Sequence, residues 1–318
     1  MTSEVEERIH KALQAHRLER LDNGYRLVHP AAAGVSTLRL LPADRVGDGQ
    51  QVAAIAEITA DYGTAGLPSF HATGVQRLNA MAIHGAYTLR DGALRQTAQY
   101  SIYANETAVH LAVQSILNAF GAQLPLGRST ALATRSPAVL KQQRAHHALP
   151  HRWQKALAEE SLKNTTALLQ RSGLAASNNA AAVWAELPLS GNCPSRSIDP
   201  QAQTALLQVN TSIPHPIAGA GYFSTISLPM TQAPPDTVEI CRRLNELELE
   251  QVDFVPRLGA WGLQGPNDLP GYSCFIPSAE PLGDLHTTIM WWCARRAAWV
   301  RDRFWSAQAT LRLEALSA

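Results

Sequence analysis

The same order of short fragments occurs twice in this chain, about half a chain apart. The first copy reads Arg77-Leu78-Asn79, Gly85-Ala86-Tyr87 and Tyr100-Ser101-Ile102-Tyr103, and the second reads Arg243-Leu244-Asn245, Gly259-Ala260-Trp261 and Tyr272-Ser273-Cys274-Phe275. The exchanges of Tyr for Trp and of Tyr for Phe keep an aromatic side chain in place. A unit that was duplicated and fused produces such a pattern, so the sequence predicts a two-fold pseudo-symmetric molecule.

The length of the chain agrees with two fused units. A chain of 318 residues and 34.5 kDa is long enough for two domains. We predict a first repeat over 1–124, a basic linker over 125–150 and a second repeat over 151–318. Size scaling predicts that docked halves hide roughly 2,700 Å² from solvent. That exceeds the about 1,600 Å² of a standard stable interface, so burial favours docking.

Local patterns predict the same elements in both halves. In the first half, β-branched runs over 35–41 and 52–59 predict strands, and 75–81 predicts a short helix that carries Asn79. A hairpin over 85–103 with an Asp-Gly turn follows, and then a helix from Glu106 to about Phe120. The second half repeats this order, with helices over 153–170, 236–249 and 284–305. The expected fold is therefore α+β, with two tandem pseudo-symmetric sandwiches of antiparallel sheet and packed helices.

The flanks of the two copies can also be aligned. Asn23-Gly24 corresponds to Ser172-Gly173 in this alignment, and the alanines before Val35 correspond to the alanines before Val183. On this basis Asn79 is expected to superpose on Asn245 and Tyr87 on Trp261.

The repeated element resembles a known family. Leu-Asn, a short gap, Gly-Ala-aromatic, a hairpin and a long helix together resemble the type III secretion chaperone-like fold, including its YbjN-like branch. The resemblance covers about 75–120 and 236–305. The second copy departs from it, because eight extra residues separate Asn245 from Gly259. The resemblance implies a non-enzymatic protein that binds another protein, and a tandem copy would correspond to a dimer made in one chain.

Composition excludes several classes of function. Apolar residues make up 46% and charged residues 17%, and the net charge is +1, so no overall field attracts nucleic acid or membrane. The N-terminus is acidic, unlike a signal peptide, and no apolar run is long enough to span a membrane. The four cysteines form no C-x-x-C pair, so we expect free thiols in a cytoplasmic protein without metal or other cofactor.

The central segment is unusually basic. Residues 107–158 contain no Asp or Glu but carry several cations, among them Arg128, Arg135, Lys141 and Arg144. One hypothesis makes this segment a docking strip for a partner with an acidic surface. The other, which its prolines favour, makes it a solvated linker. Clustered histidines at 146, 147 and 151 lack nearby acids or thiols, so surface histidines are expected there rather than a metal site.

Two further features are open to a structural or a functional interpretation. Asn79 and Asn245 occupy matched positions, and we expect both to act as helix C-caps rather than as ligand donors. The last helix carries Trp291 and Trp305 on one face and Trp292 and Trp299 on another, with arginines between them. A core uses one face, so the second aromatic face belongs to the seam between the halves or to a binding surface.

No motif for phosphate, dinucleotide or nucleophilic chemistry is present. We therefore predict a protein-binding chaperone or adaptor without catalytic residues, with Arg128, Arg135, Lys141, Arg144, Trp291 and Trp305 as candidates for partner contact. The alternative is a small-ligand binder or enzyme whose site lies in a cleft between the halves. Perturbed pKa values in that cleft would favour the alternative.

Overall fold

The computed structural model describes most of both halves of the chain. The described residues are 7, 10–11, 19–22, 24–29, 34–42, 52–63, 70–103, 106–133, 151–171, 173–189, 204–211, 215, 218–219, 221–230, 232–250, 257–277, 293 and 296–297. The predicted opening helix and the predicted final helix lie almost entirely outside them. Residues 293, 296 and 297 of the final helix are helical and buried.

The first half forms a six-stranded antiparallel sheet with two helices. Its strands lie side by side in the order β1-β2-β3-β4-β6-β5. The elements are β1 (Glu19–Leu21), β2 (Gly24–His29), β3 (Gly34–Pro42), β4 (Val52–Asp61), α1 (Ala72–Asn79), β5 (Ala86–Arg90), β6 (Ala93–Tyr103) and α2 (Glu106–Ala133).

The second half forms another six-stranded antiparallel sheet, in the order β7-β8-β9-β10-β12-β11 when listed from its first strand. The elements are α3 (His151–Arg171), β7 (Ala176–Asn178), β8 (Ala182–Pro188), β9 (Thr204–Asn210), β10 (Gly221–Ser227), α4 (Thr237–Glu250), β11 (Ala260–Gln264) and β12 (Leu269–Pro277). The α+β class and the two similar sheet halves are confirmed, and this common strand order agrees with duplication.

The alignment of the flanks was wrong by one strand. Leu21 ends β1 and Gly24 begins β2, so the connection between them corresponds to the one between β7 and β8 rather than to Ser172-Gly173. The alanines before Val183 lead into the second strand of their sheet, whereas those before Val35 lead into the third. Strands β1, β2 and β7 were not predicted. Two of them, β1 and β7, have only three residues each, too few for a period-2 pattern.

One face of each sheet is buried under helices. Alternate residues of β3, β4 and β6, such as Leu38, Ile58 and Tyr100, face α2. In the second sheet, Val183 and Leu207 face the side covered by α3. These residues from both halves belong to one continuous hydrophobic core. Burial of apolar side chains at about 25 cal/mol per Å² is the main stabilising contribution to such a core.

Helix α2 is longer than predicted. It continues past Phe120 to Ala133 and contains Pro125, so residues 125–133 of the predicted linker are helical. The rest of that segment, 134–150, lies outside the described residues. The sequence suggested an earlier end because Pro removes a backbone donor. Tertiary packing overrides this preference, because Leu124 and Ala131 are fully buried against the sheet.

The repeated Gly-Ala-aromatic fragment has a steric origin. Gly85 begins the first hairpin with φ of 104°, a left-handed conformation that favours glycine, and a Cβ there would overlap the carbonyl group of Thr97. A Cβ at Gly259 would overlap the carbonyl oxygen of Ser273 in the same way. Both halves therefore need glycine where the chain enters the hairpin.

Candidate functional site

The two matched asparagines perform the same structural task. The side-chain amide of Asn79 donates to the carbonyl oxygen of Tyr87 (3.1 Å), and its Oδ1 accepts from the backbone N–H of Tyr87 (2.7 Å). Asn245 makes the equivalent pair of bonds with Trp261, both at 2.8 Å. The C-cap hypothesis was wrong, because these amides join a helix to the first hairpin strand of the same half. Asn245 lies inside α4, not at its end.

The two halves meet through reciprocal backbone contacts. Residues before β5 bond to β12, where Phe275 N–H donates to the carbonyl oxygen of Ala82 (3.1 Å). Residues before β11 bond to β6, where Arg257 and Gln99 exchange two backbone hydrogen bonds of 2.7 and 3.1 Å. Between these contacts, Gly85 N–H donates to the carbonyl oxygen of Leu258 (2.9 Å). We call residues 82–85 and 257–258, with the strands that they contact, the junction.

Helix α1 of the first half covers part of the second sheet. It packs on β11 where Gly262 has no side chain, and a Cβ there would come within 2.5 Å of the carbonyl oxygen of Gln76 and 2.7 Å of the backbone nitrogen of Ala80. Both neighbours are backbone atoms, so they cannot move aside cheaply. This close approach fixes α1 over the outer side of β11.

Arg257 is a buried cation in the junction. Its Nη1 donates to Gln99 Oε1 (2.5 Å) and to the carbonyl oxygen of Leu249 (3.0 Å). Gln99 in turn donates to Glu57 Oε2 (2.9 Å) on the outer side of the first sheet. Burial lowers the pKa of Arg257 to about 10, while Glu248 and Glu57 act in the opposite direction. The guanidinium still carries its charge at neutral pH and links the two halves.

A second buried cation lies in the core of the second half. Arg296, 1% exposed, donates through Nε to both carboxylate oxygens of Glu248 (2.9 and 3.0 Å), and its guanidinium carbon lies 4.6 Å from the ring centroid of Tyr272. Trp261 Nε1 donates to the same carboxylate (2.7 Å). Burial by itself lowers the pKa of Arg296, but the contact with Glu248 outweighs it and the pKa ends above its ordinary value. The pair is ionised and enclosed.

The first half buries neutral amides below its hairpin. Gln123 lies on α2 and donates to the carbonyl oxygen of His84 (2.8 Å). Gln123 and Arg296 are both buried polar residues of a helix that follows the hairpin of their half. Tyr62 donates to Gln96 Oε1 (2.5 Å), and Gln96 donates to Ile83. The halves therefore share a topology but not the chemistry of their polar interiors.

His215 is a further buried ionisable group and bonds to Met81, next to the junction. Ala218 N–H donates to its Nδ1 (3.1 Å), so the proton resides on Nε2, which donates to the carbonyl oxygen of Met81 (3.1 Å) in the first half. Its ring lies 4.9 Å from the ring of Phe275. Burial lowers the pKa of His215 to about 4, although the bond to Met81 raises it. The imidazole is therefore neutral at physiological pH.

The outer face of the second sheet is open over three strands. The outward side chains of β8, β9 and β10 are half-buried or exposed at most positions of these strands, and Leu206 is 43% exposed. Trp184 pairs across the strands with Gln208, and Gln208 pairs with Thr225. Phe223 lies further along β10 on the same side. We call these outward residues of β8–β10 the open face.

The open face differs from its counterpart in the first sheet. The outward positions of β2–β4 include the charged residues Arg26, Arg39, Glu57 and Asp61. Among the outward positions of β8–β10, all of which are described, Glu186 alone is charged. A face rich in charges is stably solvated, whereas an exposed face with Trp, Leu and Phe is typical of a contact surface.

Most of the residues predicted as partner contacts lie outside the described part of the chain. Arg135, Lys141, Arg144, Trp291 and Trp305 belong to this group, and only Arg128 is placed. It lies on α2 with a half-buried side chain, so it is part of the packed helix rather than of an exposed strip. Sequence reasoning missed the open face, because alternation predicts two faces of a strand but not which one a helix covers.

The described residues contain no group of three or more His, Cys, Asp or Glu side chains arranged to hold a metal ion. No described helix combines the length and the apolar character that crossing a bilayer requires. The described cysteines Cys241, Cys274 and Cys293 are buried thiols, and burial raises the pKa of Cys241 and Cys293.

Comparison with protein-family models, with curated proteins and with solved structures finds no match for this chain.

Proposed function

We propose that this protein is a non-enzymatic chaperone or adaptor that binds another protein on the open face. The observation that carries this proposal is the exposure of Leu206, diagonal to Trp184 and on the same side of the sheet as Phe223, on a surface whose outward positions hold a single charge. Aromatic and aliphatic side chains surrounded by uncharged polar ones are the usual composition of the core of a protein interface.

The duplication supports the proposal by providing an internal comparison. Because both halves have one strand order, a feature required only by the fold would be expected in both. The apolar open face occurs in the second sheet, while the matching strands of the first sheet carry charges. This divergence is expected if one sheet has been specialised for a partner and the other serves as scaffold.

The resemblance to the type III secretion chaperone-like and YbjN-like fold points in the same direction. Its expected dimer corresponds to two halves joined by one core and by the junction. Fold-level similarity by itself is a weak argument for function, so the proposal depends on the open face.

The experiment that tests this proposal is site-specific photo-crosslinking in the native host. A photoreactive phenylalanine analogue is introduced at Leu206 in one variant and at Val28 in the other. Val28 is 57% exposed on the outer side of the first sheet and is the matched control. We expect one discrete crosslinked protein from the variant at 206 and none from the variant at 28. Equal crosslinking at both positions, or none at 206, contradicts the proposal.

The basic segment is proposed as an additional contact for an acidic partner surface. Charge reversal at Arg135, Lys141 and Arg144 tests it, whereas Arg128 is left unchanged because its side chain is packed on α2. A docking role predicts an affinity at least tenfold lower with a weaker salt dependence and an unchanged melting temperature. An unchanged affinity for the crosslinked partner assigns the segment to a linker.

The second candidate function is small-ligand binding or catalysis between the halves. The observation that favours it is the presence of two ionisable groups with displaced pKa values, Arg257 in the junction and His215 next to it. A thermal-shift screen of small anions tests it. A compound that stabilises the protein, but not its Arg257→Gln variant, supports this candidate over the first.

A further inference from the structure

We propose that the open face binds an amphipathic α-helix of its partner, with an apolar stripe on Leu206 and Trp184 and a Lys or Arg beside Glu186. This inference rests on the proposed function and specifies the partner that the same surface fits. It is argued from the size of the face, from the state of the sheet edges and from its single charge.

The dimensions of the open face match one helix. Three strands at about 4.8 Å spacing make a strip about 14 Å wide, and seven residues of strand extend for about 24 Å. A helix with side chains is about 10–12 Å across, and about 16 helical residues span 24 Å. One helix laid along the strands therefore covers both the width and the length of the open face.

The edges of the second sheet do not offer an alternative site for an extended peptide. Peptides that add a strand need a long free edge, whereas helices dock on faces. The edge strand β7 has three residues, and Gln170 Nε2 donates to the carbonyl oxygen of Ala176 on it (2.8 Å). The strand at the opposite edge, β11, has five residues and carries α1 of the first half on its outer side. Short edge strands resist strand addition.

The charge of the open face selects between basic and acidic helices. Glu186 is exposed and pairs across the strands with Leu206, so its carboxylate stands next to the apolar stripe. No outward residue of β8–β10 carries a positive charge. A helix with a Lys or Arg at the border of its apolar stripe gains an ion pair there. A helix with an acid at that place meets repulsion, which costs affinity and provides specificity.

The test uses two synthetic 16-residue amphipathic peptides with the same leucine stripe, one with Lys and the other with Glu at its border. Binding of each fluorescently labelled peptide to the full chain is measured by anisotropy. We expect the Lys peptide to bind at least tenfold more tightly than the Glu peptide. Leu206→Asp should weaken the binding of the Lys peptide at least tenfold, whereas Val28→Asp should leave that binding unchanged. Glu186→Lys should reverse the preference between the peptides.

Each result bears on the proposal. Failure of the Lys peptide to bind at 100 µM, which means a binding free energy weaker than about 5.5 kcal/mol, overturns it. Equal effects of Leu206→Asp and Val28→Asp, or no reversal by Glu186→Lys, also overturn it, with circular dichroism confirming that both variants are folded. If the crosslink at 206 captures a protein but the peptides show no such preference, the proposed function stands and the helix proposal fails. If the peptides behave as expected but no crosslink forms in the host, the proposed function fails instead.

Discussion

Replacing Glu248 by Gln removes one charge from the buried pair in the second half and changes almost no volume. The new side chain still offers an oxygen to Trp261 Nε1, so the loss falls mainly on Arg296. That guanidinium is 1% exposed and cannot turn toward water. The variant therefore isolates the cost of an uncompensated buried charge.

The expected magnitude follows from burial. Breaking a buried ion pair by removing one partner costs about 3–5 kcal/mol of unfolding free energy. Tyr272 continues to face the cation and water cannot replace the carboxylate, so we expect a loss within this range. At about 2 °C per kcal/mol for a chain of this size, the melting temperature falls by about 6–10 °C.

Helix α4 itself supplies the matched control. Glu246 lies two residues before Glu248 and forms ion pairs with Arg242 and Arg243 at the surface, with its side chain 33% exposed. Glu246→Gln should cost no more than about 1 kcal/mol, because solvent screens exposed pairs. Urea unfolding at pH 7, followed by tryptophan fluorescence and circular dichroism, measures both variants.

The reasoning is refuted if Glu248→Gln costs less than about 1 kcal/mol or no more than Glu246→Gln. A double variant provides a second check. Glu248→Leu with Arg296→Met removes both charges, and it should be more stable than Glu248→Gln, because two apolar groups leave no buried charge unpaired.

Three further outcomes follow from the structure. Gly127→Ala should destabilise the fold by about 1–3 kcal/mol, because its Cβ would overlap the Tyr62 hydroxyl. Gly121→Ala on the exposed side of the same helix should stabilise it by about 0.5–1 kcal/mol. The urea midpoints of the two variants should therefore shift in opposite directions. In the folded state the pKa of His215 is about 4, below the ordinary 6.5. Its contribution of about 3 kcal/mol to the free energy of unfolding is therefore present above pH 6.5 and is lost as the pH falls toward 4. His215→Gln should flatten this pH dependence of unfolding, and the exposed His71→Gln should leave it unchanged. The three buried thiols described above should react with a thiol reagent only when the protein unfolds. The denatured, unreduced chain should give four free thiols. A count of two or fewer would contradict the predicted redox state.

The sequence by itself determined the repeat and most of its elements. The paired fragments around Asn79 and Asn245 predicted two copies. The Asp91-Gly92 turn, the middle helices and the strands other than β1, β2 and β7 are located near their predicted bounds. These features depend on local periodicity and on the few residues that a tight turn or a close approach accepts, so they can be recognised without knowledge of distant contacts.

Only the tertiary structure decided how those elements are used. The asparagine side chains were expected to cap helices but bond to a strand 8 and 16 residues further along the chain. Helix α2 continues through Pro125 because the sheet of its own half buries its far end. The alternation in β8–β10 predicts two faces of one sheet, but it does not tell which face a helix covers. That choice depends on contacts between residues far apart in sequence, such as α1 on Gly262, and it leaves the outward side chains of β8–β10 half-buried or exposed at most positions.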